Sequence, residues 1–188
     1  MTADSRRPVV AVFGSSILRE DEPAYAEVRA LGGHLARRGL AVMTGGYDGA
    51  MAAASRGAHE AGGHVIGVTV DLFEKRGPVN PWVLERVHTP TLYARLDHLV
   101  RESDAFVAVT GSIGTLTELF LTWTMLAVAA RPAAPFVLMG AHWHEWLELH
   151  RGPEFIPDHL FRHVQVAETP EETAALVAAG LEAPGGRG

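Results

Sequence analysis

A five-residue apolar run, Ala105 to Val109, breaks at Thr110 into Gly111-Ser112-Ile113-Gly114-Thr115 and then into a second apolar pattern. The run is short and rich in β-branched and aromatic residues, as in a strand buried on both faces. Leu116, Leu119, Phe120, Trp123 and Leu126 follow at helical spacing and cover most of the helix circumference, which predicts a central helix. A strand that hands over to a helix through glycines and hydroxyls makes an anion site. The first backbone N–H groups of the helix have no internal partner, and its dipole favours negative charge there. Glu118 lies one turn further on, on the side of Thr115. Thr115-Leu116-Thr117-Glu118 fits a capping box equally well, in which hydroxyl and carboxylate only satisfy backbone donors.

The same construction recurs along the chain. Val9 to Phe13 ends in Gly14-Ser15-Ser16, and Leu40 to Thr44 ends in Gly45-Gly46-Tyr47-Asp48-Gly49-Ala50-Met51. Helical patterns cover Ala24 to Gly39, Ala50 to Ala61 and Thr91 to Ser103, with a strand from His64 to Val70. Asp71 to Pro90 carries three prolines and both charge signs, and reads as a long loop with an extended piece at Val83 to Val87. Beyond the central helix, strands are predicted at Pro135 to Met139 and Val164 to Val166, and helices at Trp143 to His150 and Pro170 to Ala179.

Strands alternating with helices predict an α/β, doubly wound, mostly parallel sheet in one domain spanning residues 1–188, with loose tails at 1–7 and 183–188. In such a sheet ligands bind beyond the carboxyl ends of the strands. The three glycine and hydroxyl clusters therefore converge on one ligand.

Several chemistries are excluded or disfavoured. A net charge of −6 offers no basic face for a nucleic acid polymer. With no cysteine there are no disulfides and no thiolate metal sites. Lys75 is the only lysine and stands in a charged loop, which argues against a pyridoxal phosphate Schiff base and against a Walker A turn. Ser-Ser-Ile-Leu after Gly14 breaks the dinucleotide fingerprint, and Ser112 directly after Gly111 breaks the nucleophile elbow. His142, His144 and His150 crowd one helix, but Glu148 stands where zinc chemistry would need a second histidine, so a surface helix is expected and no metal. No signal peptide or membrane-length apolar segment is legible, which leaves a cytoplasmic protein as the expectation.

Taken in order, Val12 to Ser16, Gly45 to Met51, Val65 to Val68, Arg95 and Gly111 to Glu118 resemble the LOG (lonely guy) family of nucleotide phosphoribohydrolases, the lysine decarboxylase-like proteins. The resemblance covers Val9 to about Ala179. It implies a Rossmann-like sheet, no cofactor, a small-molecule nucleotide substrate and a homodimer with Leu116 to Ala130 near its interface. It also implies catalytic roles for Glu118 and Arg95, with Arg95 holding Glu118 ionised. Phosphate and nucleotide would be held by Gly14, Ser15, Ser16, Gly45, Gly46, Gly49, Gly111, Ser112, Ile113, Gly114 and Thr115. The chain departs from the family pattern at Thr110, Ser112 and Leu96, where a proline, a glycine and a lysine are usual. The expected reaction is hydrolysis of the N-glycosidic bond of a nucleoside 5′-monophosphate, of the AMP or cytokinin riboside kind. The departures keep a second class open, a carrier that binds a nucleotide or a molybdenum cofactor without chemistry.

Overall fold

The computed structural model describes residues 6–74 and 77–183. The expectations for residues 1–5 and 184–188, and for the loop position of Lys75, lie outside the described residues. In chain order the elements are β1 (Val9–Phe13), α1 (Pro23–Arg37), β2 (Ala41–Thr44), α2 (Ala50–Glu60), β3 (Val65–Val70), α3 (Asp71–Glu74) and β4 (Glu85–Thr89). There follow α4 (Leu92–Arg101), β5 (Ala105–Ala108), α5 (Ile113–Ala127), β6 (Phe136–Met139), α6 (His142–Leu149), a 3₁₀ helix (Asp158–His163), β7 (Gln165–Ala167) and α7 (Pro170–Glu182).

The seven strands form one sheet in the order β4-β3-β2-β1-β5-β6-β7, every neighbouring pair parallel. Side chains alternate across a strand, so β1 feeds two cores at once. Val10 and Val12 pack with Leu31 and Leu35 of α1, Ala54 of α2 and Val177 of α7. Val9, Ala11 and Phe13 pack on the other face with Leu99 of α4, Leu119 and Trp123 of α5, and Trp143 of α6. The winding reverses between β1 and β5, so the crevice at the switch in strand order opens beyond Phe13 and Ala108.

Two predicted boundaries move. Between Asp71 and Pro90, α3 follows β3 directly where loop was expected, and the extended piece expected at Val83 to Val87 is β4, Glu85–Thr89, paired with β3 from Ile66↔Glu85 to Val70↔Thr89. Glu85, Arg86 and His88 make β4 polar because it is an edge strand, and its charges obscure the pairing in the sequence. Helix α5 begins at Ile113, three residues ahead of the apolar pattern, with Ser112 extended at its N-cap. Ile113, Gly114 and Thr115 are thus the helix's first turn. No helix among the described residues is long and apolar enough to cross a membrane.

Candidate functional site

The crevice at the switch point is a cavity of about 540 Å³. Its walls come from the segments that follow three strands and from helices α2, α3, α4 and α5. Gly14, Ser16 and Ile17 follow β1, Tyr47, Asp48 and Met51 follow β2, and Phe73 and Gly77 follow β3. Arg95 of α4 and Ser112, Ile113, Gly114, Thr115 and Glu118 of α5 complete it.

Arg95 and Glu118 meet inside this cavity. The Arg95 Nη1 donates to Glu118 Oε1 at 3.2 Å and its Nε donates to the Val68 carbonyl at 2.8 Å. The guanidinium is 5% exposed and stands 5.7 Å from the centre of the Phe73 ring. Helix α4 places it there because Thr91 caps the helix, its hydroxyl accepting from Ala94 N at 3.1 Å, and because Leu96, Leu99 and Val100 bury the same side. Gly45 leaves room for it: a Cβ at that position would coincide with Arg95 Nη2 and stand 2.6 Å from Met51 Sδ.

Burial pushes the Glu118 carboxyl above the ordinary carboxylate range, and the attraction and hydrogen bond of Arg95 only partly offset it. Arg95 thus favours the ionised form, as expected, but the net direction is set by burial. The Glu118 side chain is 13% exposed, so desolvation outweighs the neighbouring cation.

The capping-box alternative fails at Thr115. Thr115 is buried in the first turn against Gly111, while Glu118 points to Arg95. A related arrangement does occur at α7. There Glu172 N donates to Thr169 Oγ1 at 3.2 Å and Glu168 N donates to Glu172 Oε2 at 3.0 Å.

The residues expected to hold phosphate divide into two groups. Gly14, Ser16, Ser112, Ile113, Gly114 and Thr115 line the cavity. Ser15, Gly45, Gly46, Gly49 and Gly111 stand behind the lining and shape the turns. Ser15 N donates to the Thr110 carbonyl at 3.1 Å and its own carbonyl accepts from Ala50 N at 2.7 Å, which ties the three turns together. Gly49, at φ 69°, lies so close to the Ser15 carbonyl and the Ser16 backbone that only hydrogen fits. Gly46, at φ 79°, faces Gly67 and Thr69 of β3, away from the cavity.

Tyr47, Asp48 and Phe73 belong to the lining although sequence reasoning did not single them out. Asn80 fixes this wall from behind. Its N donates to the Gly46 carbonyl at 2.9 Å, its Nδ2 donates to the Tyr47 carbonyl at 3.0 Å, and its Oδ1 accepts from Trp82 N at 3.2 Å. The Tyr47 hydroxyl donates to the Val70 carbonyl at 3.1 Å and accepts from Val70 N at 3.2 Å. The placement of Tyr47 and Asp48 inside the Gly45 to Met51 cluster was the one available signal; Phe73 carried none.

The histidine-rich helix lies beside the site. His142 Nε2 is 3.3 Å from Thr110 Oγ1, and its ring fills the space next to Gly140, at φ 123°. His144 Nε2 is 3.6 Å from Glu168 Oε1. Among the described residues no three histidine, aspartate or glutamate side chains come together as a metal site.

Residues 7–129 match the SLOG cluster4 family. A probable cytokinin riboside 5′-monophosphate phosphoribohydrolase of Oryza sativa subsp. japonica is 35% identical over 134 residues, 70% of this chain and 54% of that protein. The chain spans about half the length of the curated relatives it matches. Among solved structures, the molybdenum cofactor binding protein of Rippkaea orientalis has the same fold, with a TM-score of 0.74 at 24% identity over 93% of this chain and 98% of that one. The molybdenum cofactor carrier protein of Chlamydomonas reinhardtii gives a TM-score of 0.71 at 26% identity, covering 95% of this chain and all of its own.

Proposed function

The chain belongs to the SLOG cluster4 family, the LOG-like proteins its motifs resemble, and on that premise we propose that it hydrolyses the N-glycosidic bond of a nucleoside 5′-monophosphate. The observation that carries this reading is a buried carboxylate paired with a buried guanidinium, one turn beyond a helix start open to the cavity.

The 5′-phosphate sits against the backbone N–H groups of the first turn of α5, with the Ser112 hydroxyl beside them. Arg95 is the one cation among the described lining residues and it is already paired with Glu118, so backbone donors and the helix dipole carry the phosphate. Anchoring the phosphate places C1′ near Glu118 and holds it there. As the C1′–N bond breaks, its electrons leave with the base and positive charge develops at C1′ and the ring oxygen. Glu118 stabilises that charge and takes a proton from the attacking water, whose oxygen bonds to C1′. The proton taken by Glu118 is returned through solvent to the departing base, which leaves protonated, so that the carboxylate is restored and ribose 5-phosphate remains. A carboxyl raised above its ordinary range is a stronger base than a solvated one, which suits this second role. Arg95 keeps the carboxylate aimed and compensates its charge.

Exposed apolar residues of α5 away from the cavity lining, Phe120 and the C-cap Val128, support a homodimer through this helix. A cytoplasmic location fits a substrate of this kind.

The test is base release from AMP and from a cytokinin riboside 5′-monophosphate, followed chromatographically, with wild type beside Glu118→Ala. Release that the substitution abolishes supports hydrolysis. Tight binding of the monophosphate without release favours the carrier class, to which the likeness to the Chlamydomonas reinhardtii protein and the departures at Thr110 and Ser112 point.

A further inference from the structure

Asp48 is a carboxylate with no hydrogen-bond or ion-pair partner among the described residues. It lines the cavity and is exposed. An aspartate just before a helix commonly turns back to accept from its free N–H groups, yet no side chain caps the start of α2. Its backbone is nonetheless held rigid. Asn80 grips the Gly46 and Tyr47 carbonyls, and Gly46 N donates to Thr44 Oγ1 at 3.1 Å. An acceptor on a fixed stretch of backbone, left unpaired among the described residues at a cavity wall, is placed to meet donors on a ligand.

Which donors it meets follows from the sheet. Strands β2 and β5 flank β1, so the Asp48 turn and the phosphate-side helix start stand about two strand spacings apart, roughly 10 Å. With the phosphate on α5 and C1′ at Glu118, the ribose lies between these walls. Beyond Glu118, Asp48 is the one charged acceptor among the described lining residues. We infer that Asp48 reads the vicinal 2′- and 3′-hydroxyls of the ribose and so makes the site selective for ribonucleotides over 2′-deoxyribonucleotides. A carboxylate accepts from both hydroxyls of a diol at once, and a site that pairs with a substrate hydroxyl rejects the analogue lacking it.

The inference rests on the nucleotide reading above, and its experiment separates the two. Wild type, Asp48→Ala and Asp48→Asn are compared for kcat/KM on AMP, 2′-deoxy-AMP and IMP, and for calorimetric Kd with AMP and 2′-deoxy-AMP. Using variant-to-wild-type ratios cancels the different intrinsic lability of the two sugars. The expected result is a loss of the AMP preference over 2′-deoxy-AMP by about 10- to 100-fold in Asp48→Ala, the range for charge-assisted hydrogen bonds, with a smaller change of the same sign in Asp48→Asn. A preference unchanged in both variants overturns it, as does a shift in the AMP-to-IMP ratio instead, which would assign Asp48 to the amino edge of the base. If wild type binds AMP but releases no base, the hydrolase reading falls and the Kd ratios decide on Asp48 alone. If wild type does not bind AMP, both fall.

Discussion

The Arg95 guanidinium occupies the space in which Gly45 would carry a side chain, so a turn at the end of β2 decides where a cation of α4 can stand. Gly45→Ala therefore displaces both Arg95 and Met51. Because both are ends of long side chains, the fold survives by moving them, and the hydrogen bond to Glu118 is lost. The expected outcome is a fall in base release of about 100-fold or more with a modest change in melting temperature. Parallel kinetics and thermal melts check it.

Arg95→Ala is expected to be worse for the fold. It leaves Glu118 buried without its partner and the Val68 carbonyl without a donor, and removing one member of a buried pair costs about 3–5 kcal/mol. Denaturant titration of the variant beside wild type measures it. Arg95→Lys should recover little, since one ammonium cannot reach both acceptors in the same geometry.

Glu118 gives a pH dependence with a defined sign. Its native pKa is raised, so the folded state holds this proton more readily than the unfolded chain does. The contribution to stability is fullest below the unfolded value and is lost as pH rises through the native one. Glu118→Gln lacks this titration. Its melting temperature relative to wild type should therefore climb as pH goes from 4 towards 8. Base release by wild type should rise over the same window, with its midpoint above the ordinary carboxylate range. A flat difference between the two melting curves would contradict both statements.

Arg131 provides a stability test far from the cavity. It donates to the Val100 carbonyl at 2.6 Å and to the Ser103 carbonyl at 2.9 Å, and its guanidinium carbon is 4.4 Å from the centre of the Phe106 ring. Arg131→Ala removes the partners of two carbonyls at the end of α4 and should cost about 1–3 kcal/mol in urea titration while kcat/KM stays near wild type.

Much of this arrangement was legible in the residues themselves. Val9 to Phe13 and Ala105 to Val109 are apolar at every position because β1 and β5 are covered on both faces, and that alone points to a parallel sheet. The glycine clusters marked the strand ends at which the cavity opens. Edge strand β4 was legible only as an extended piece set two residues early, because its side chains meet water. Asn80 and Phe73 were missed for another reason: their roles depend on which turn the connection after β3 folds against, and no local pattern encodes that. The direction of the Glu118 shift also escaped, because it is a balance between burial and a neighbour 23 residues away.

Asn80 makes one further point. By gripping the backbone of Gly46, Tyr47 and Trp82 together, it couples the length of the connection after β3 to the position of Asp48 and the gap beside Gly45. A residue inserted or deleted between Gly77 and Trp82 would leave every lining side chain in place by name and still reshape the cavity. Homologues with different loop lengths here should differ in the nucleotides they accept even where their glycine clusters are identical.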